Sequence, residues 1–214
     1  MTRNTIQPVT AQDVRRRAIG MLGGASFGGV WAAWAALGLP GRHDDCTAFF
    51  SVAALAILTG LVVATIGLLR IARHADLPQA TGSGQRRHAR RGYLLILVTE
   101  IVAMNIAAWA LYPHHMDYLV PAIALVVGLH FFPLGALLRQ PHLRIAALAM
   151  SAAALASIAA LALGLDGATV DFLLDTSCAL ALWAACFVSW RSIRRQLAAF
   201  ATPRTETREH LPAR

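Results

Sequence analysis

The chain is 214 residues long, 57% hydrophobic and only 14% charged, with a mean hydropathy of +0.56, which is too apolar for a soluble domain of this size. Its formal charge of +8 comes from nineteen arginines, with no lysine, against eleven acidic residues. In a soluble chain that balance would point to nucleic acid, but here the arginines are spread over short flanks of apolar runs and form no aromatic-interleaved patch, so the partner implied is the lipid bilayer and not nucleic acid.

Crossing ~30 Å of hydrocarbon at ~1.5 Å per residue takes ~20 apolar residues. Six stretches qualify: residues 18–39, 48–69, 93–112, 118–138, 143–165 and 169–190. The predicted fold is therefore an all-α bundle of six transmembrane helices, residues 18–190, between an N-terminal tail (1–17) and a C-terminal tail (191–214). Arg15, Arg16 and Arg17 before the first run resemble a twin-arginine signal peptide. The length of that run, its Trp31 and Trp34, and the lack of a small-x-small cleavage site favour a retained span. Within it Gly20, Gly24, Gly28, Ala32 and Ala36 recur every four residues, a glycine zipper suited to close helix approach and to a homo-oligomer through this span. Ala56, Gly60 and Ala64 in the second span and Ala152, Ala156, Ala160 and Gly164 in the fifth repeat the spacing.

The connection over residues 70–92 reads as the one long loop, with Thr81-Gly82-Ser83-Gly84 as its flexible part. It also carries Arg70, Arg73, Arg86, Arg87, Arg90 and Arg91. With the arginines of both tails and of residues 139–144, eighteen of the nineteen lie on one side of a six-span topology, and only Arg42 lies on the other. Arginine near span ends stays cytoplasmic, so both termini are expected inside. The Arg- and Ala-rich, Lys-free composition looks like the product of a GC-rich genome, and the expected location is a bacterial inner membrane.

An ionisable side chain inside a span is costly and is by default a functional candidate. Glu100 in the third span lies ~12 Å, and His130 in the fourth ~13 Å, above the cytoplasmic edge by helical rise. A short loop joins these spans, so the helices are antiparallel neighbours and a Glu100–His130 hydrogen bond or ion pair is within reach. Two roles fit: a structural pin between helices, or a proton relay or ion contact. Asn105 is ~140° around the helix from Glu100 and is expected to bond a different helix. Asp171 and Asp175 share one face of the sixth span near its outer end, either as a pair compensating the helix dipole or as the mouth of a polar cavity.

The stretch Val127-Gly128-Leu129-His130-Phe131-Phe132-Pro133-Leu134, with Glu100 and Pro121, resembles a family of uncharacterised bacterial multi-pass membrane proteins that share a Gly-Leu-His-Phe-x-Pro-Leu motif. The resemblance covers the third to fifth spans and implies a membrane location; that family has no assigned activity, so no mechanism follows from it. Pro133 is expected to free a carbonyl near Leu129 and bend the helix beside the histidine, whereas Pro121 is accommodated in a first turn.

On the outer side, His43 and Cys46 in one loop and His114, His115 and Asp117 in another are residue types that suit zinc or copper; a metal there is the weakest of these candidates, and no cofactor is expected. Cys178 and Cys186, eight residues apart, read as small buried residues with no metal or redox spacing. P-loop, nucleophile-elbow, H-E-x-x-H and dinucleotide fingerprints are all missing from the sequence. The function expected is therefore non-catalytic, a structural, sensory or accessory membrane protein, with a small permease or ion-coupled transporter using Glu100 and His130 as the alternative.

Overall fold

The structure, a computed structural model, describes residues 10–37, 44–74, 83–112, 114–138 and 140–201. These form six α-helices: α1 (Ala11–Leu37), α2 (Asp44–His74), α3 (Ser83–Leu111), α4 (Leu119–Leu137), α5 (Pro141–Ala162) and α6 (Gly167–Ala201), with a 3-10 turn, Met116–Tyr118, ahead of α4. All six are long and apolar enough to cross a membrane, and among the described residues there is no strand. The chain is an all-α multi-pass membrane protein. Helix is the state such runs must take, because lipid offers the backbone no hydrogen-bond partner outside its own ladder.

Local chemistry sets the helix ends. Thr10 and Asp13 form a capping box at α1: the Asp13 amide donates to Thr10 Oγ1 (3.2 Å) and the Thr10 amide to Asp13 Oδ2 (3.4 Å). Gly164, with φ of 83°, closes α5. Around it the Leu165 amide donates to the Ala160 carbonyl and the Gly164 amide to that of Leu161, the paired bonds of a Schellman turn, which glycine enters without a Cβ clash. Asp166 then caps α6 through the Thr169 amide, 2.9 Å away.

The segment over residues 70–92 is not the long loop expected. Helix α2 continues to His74 and α3 begins at Ser83, so helix covers most of the segment, and residues 75–82 lie outside the described ones. Likewise α6 runs on past Trp190 to Ala201. Arg, Ala and Gln are good helix formers, and a helix that has already nucleated inside the membrane adds further turns in water at little cost. Hydropathy marks where the apolar span stops, which is not where the helix stops. Helix α4, in turn, passes through Pro133 as a single element.

Sequential hairpins pack in pairs, α1 on α2, α3 on α4 and α5 on α6, and the pairs join through α1 on α6 and α4 on α5. The spatial series is thus α2, α1, α6, α5, α4, α3. Helix α6 sits centrally and contributes Leu174, Cys178, Leu182 and Trp183 to the buried core. Helices α2 and α3, adjacent in sequence, end up at opposite ends of the series, and no residue of the α3 span is buried.

Glycine lets neighbours in at two interfaces. A Cβ on Gly24 would lie 2.7 Å from Cys186 Sγ, and one on Gly28 would lie 2.5 Å from Trp183 Nε1. The helices are close enough there for Trp183 Nε1 to donate to the Ala25 carbonyl (3.3 Å) and Cys186 Sγ to that of Met21 (3.4 Å). The four-residue face expected to bring copies together is therefore taken, at Gly24 and Gly28, by α6 of the same chain; at Gly20 a Cβ would meet nothing within 4 Å. Between α4 and α5, a Cβ on Gly128 would lie 2.9 Å from the Ser151 amide nitrogen.

Candidate functional site

Glu100 lies eleven residues before the end of α3 and His130 eleven residues after the start of α4. At ~1.5 Å per residue both lie ~16 Å from the shared turn, and the antiparallel hairpin brings them together. Nδ1 of His130 and Oε2 of Glu100 are 3.1 Å apart, with the side chains 10% and 11% exposed. The carboxylate lies off the direction along which Nδ1 would hydrogen-bond, so that nitrogen has no aligned partner. The contact is a close approach of a carboxyl group and an imidazole, not an aligned hydrogen bond. Phe131 sets its ring edge-on to the imidazole, centroids 5.6 Å apart, which limits how far the ring turns away.

Three consecutive residues of α4 divide the work around this pair. Gly128 faces α5, where its missing Cβ admits the Ser151 backbone; Leu129 is exposed; His130 faces α3. One face fixes α4 to the bundle, and another presents an imidazole to α3, where it meets the Glu100 carboxyl group and the backbone at Ile96. The close Gly128–Ser151 approach was missed at the level of sequence, since small residues are common throughout and only a facing backbone distinguishes one glycine from another.

Asn105 does not bond a different helix. It is exposed, and its Nδ2 donates to the Ile101 carbonyl one turn back (2.7 Å), because among the described residues α4 is the one helix packed substantially on α3, and it lies on the Glu100 side.

Asp171 and Asp175 do not compensate the α6 dipole at its first turn; Asp166 stands there. Asp175 lies two turns in and is 4% exposed. Oδ1 of each aspartate is buried without a hydrogen-bond partner, as is Oγ1 of Thr176. Asp117, in the 3-10 turn, is near enough to act on Asp171 electrostatically, and Asp171 so acts on Asp175. Carboxylates thus descend from the exposed Asp117 into the core.

Of the candidate metal ligands, His43 and the side chain of Cys46 lie outside the described residues. His114, His115 and Asp117 are exposed, and His115 packs edge-on to Tyr118 at 6.3 Å. Among the described residues no three His, Cys, Asp or Glu side chains are grouped as a metal site requires. Cys178 and Cys186 are free and buried, as expected.

At the end of the bundle where α1 begins and α6 finishes, Arg17 Nη1 donates to Gln196 Oε1 (3.3 Å). There Arg191 lies 5.8 Å over the Phe187 ring and Arg194 5.2 Å over that of Trp190. Arginines packed on aromatic faces at a span end are an interfacial arrangement.

No family model, curated protein or solved structure matches this chain.

Proposed function

We propose that the chain is a non-catalytic accessory protein, structural or sensory in role, of a bacterial inner membrane, and that Glu100 and His130 are a polar clasp fixing α3 to the rest of the bundle. The observation that carries this is where the pair stands. Among the described residues helix α3 packs substantially on α4 alone, and the pair lies in that interface at 3.1 Å. In hydrocarbon, apolar side chains gain little by leaving lipid for protein, so polar contacts and close packing do the holding. The skewed arginine distribution supports cytoplasmic termini, and the Gly-Leu-His-Phe-x-Pro-Leu stretch supports kinship with the membrane family it resembles.

Proton movement across vesicles tests this. Purified protein in liposomes holding a pH-sensitive dye, under an imposed potassium diffusion potential, should leak protons no faster than protein-free liposomes. A protein-dependent flux abolished by Glu100→Gln or Asp175→Asn would contradict the clasp as the whole function.

The second reading, an ion-coupled permease, is favoured by one observation: the buried Oδ1 atoms of Asp171 and Asp175 have no partner. Buried carboxylates left open in this way mark ion or proton pathways in membrane proteins, and the same flux measurement decides for or against it.

A further inference from the structure

Helix α3 has two sides. Ile96, Glu100, Ala103 and Ala107 are partly covered, on the side of α4. Opposite them Leu95, Val98, Val102, Asn105, Trp109 and, just beyond the helix end, Tyr112 are all exposed, Trp109 at 85%. Their spacing of three and four residues in alternation is the seam of a left-handed helix pair. An exposed apolar seam needs nothing but lipid. The carboxamide of Asn105 is different.

Asn105 lies six residues from the end of α3, about 9 Å along it by helical rise, inside the apolar span 91–111. One of its N–H groups is used on the Ile101 carbonyl; the second N–H and the Oδ1 acceptor have no partner among the described residues. Lipid tails cannot supply one, and an unpaired amide in hydrocarbon is costly. A second carboxamide can, because the group is both donor and acceptor and so complements itself. Copies of one chain inserted in the same sense are related by a two-fold axis along the membrane normal, which sets their α3 helices parallel and brings Asn105 opposite Asn105 at equal depth.

We propose that two copies of this chain associate in the membrane through the exposed seam of α3, with the Asn105 carboxamides hydrogen-bonded to each other across the two-fold axis. Hydrogen bonding selects the partner and the register, as a single polar residue does in a helix pair, while the β-branched Val98 and Val102 pack with little rotamer freedom to lose. The association stands whether or not Glu100 and His130 act as a clasp, and it goes beyond that reading.

Energy transfer between donor- and acceptor-labelled full-length chains in phosphatidylcholine vesicles, followed as lipid dilutes the protein, measures the dimer. Wild type should dimerise. Asn105→Leu should weaken the dimer at least ~10-fold with helicity and the monomer's melting temperature retained, and Asn105→Gln should restore most of it. A cysteine at Val102 should cross-link between copies on oxidation, and one at Ile106, off the seam, should not. A monomer at every dilution would overturn the proposal. So would a dimer indifferent to Asn105→Leu, or one lost on Gly20→Leu instead, which would place the interface on α1. Proton flux through the vesicles is a separate readout, so failure here and failure of the clasp are told apart.

Discussion

Gly128 and Ser151 meet through their backbones: a Cβ on Gly128 would lie 2.9 Å from the Ser151 amide nitrogen and 2.7 Å from its Oγ. Backbone cannot swing aside as a flexible side chain does, so one methyl group there forces α4 and α5 apart. Gly128→Ala is expected to cost about 1–3 kcal/mol, the usual range for overpacking a dense interface. Gly60→Ala, on an exposed face of α2 where a Cβ meets nothing within 4 Å, should be neutral or slightly stabilising because alanine is the better helix former. Melting temperatures in one detergent compare the two variants directly.

The glycines of α1 make a graded series. Gly24→Leu collides with Cys186, whereas Gly20→Leu meets open space. If α6 is what this face packs against, Gly24→Leu lowers thermal stability or yield while Gly20→Leu leaves both unchanged. Equal behaviour of the two would mean that α1 and α6 do not meet as described.

Asp166 links the α6 cap to pH. Its Oδ2 accepts from the Thr169 amide and hydroxyl, each 2.9 Å away, and those bonds hold the carboxyl below its ordinary value of 3.8. A carboxyl depressed in the folded state stabilises above its unfolded value, and loses that contribution as pH falls through the folded one. As pH falls through the ordinary aspartate value and below it, the wild type should therefore lose stability relative to Asp166→Asn, which keeps an acceptor but does not titrate. Parallel melting curves for the two chains over that range would remove the cap from the account.

Six spans, three hairpins and the meeting of Glu100 with His130 were legible in the sequence because each depends on local or near-local quantities: hydropathy, turn residues, and equal depth on two helices joined by a short loop. What was not legible depends on which helices become neighbours across the bundle. Gly24 and Gly28 carry a packing signal, but only the structure assigns that face to α6. Asn105 was expected to meet another helix, and among the described residues that side of α3 has none. Helix ends beyond the hydrocarbon, at His74, Ser83 and Ala201, escape a hydropathy reading because water tolerates helix and loop alike.

The central claim is that Glu100 and His130 hold α3 in place, and a double-mutant cycle read by thermal unfolding tests it most directly. Breaking a buried pair from one side leaves its partner uncompensated, typically at about 3–5 kcal/mol, whereas replacing both partners with apolar groups of similar volume is often neutral. Glu100→Ala should show a large loss, Glu100→Gln a smaller one, the single variants Glu100→Leu and His130→Phe a loss each, and the Glu100→Leu, His130→Phe double variant stability near wild type. Unchanged stability in Glu100→Ala, or losses in the two single variants that simply add in the double one, would contradict it.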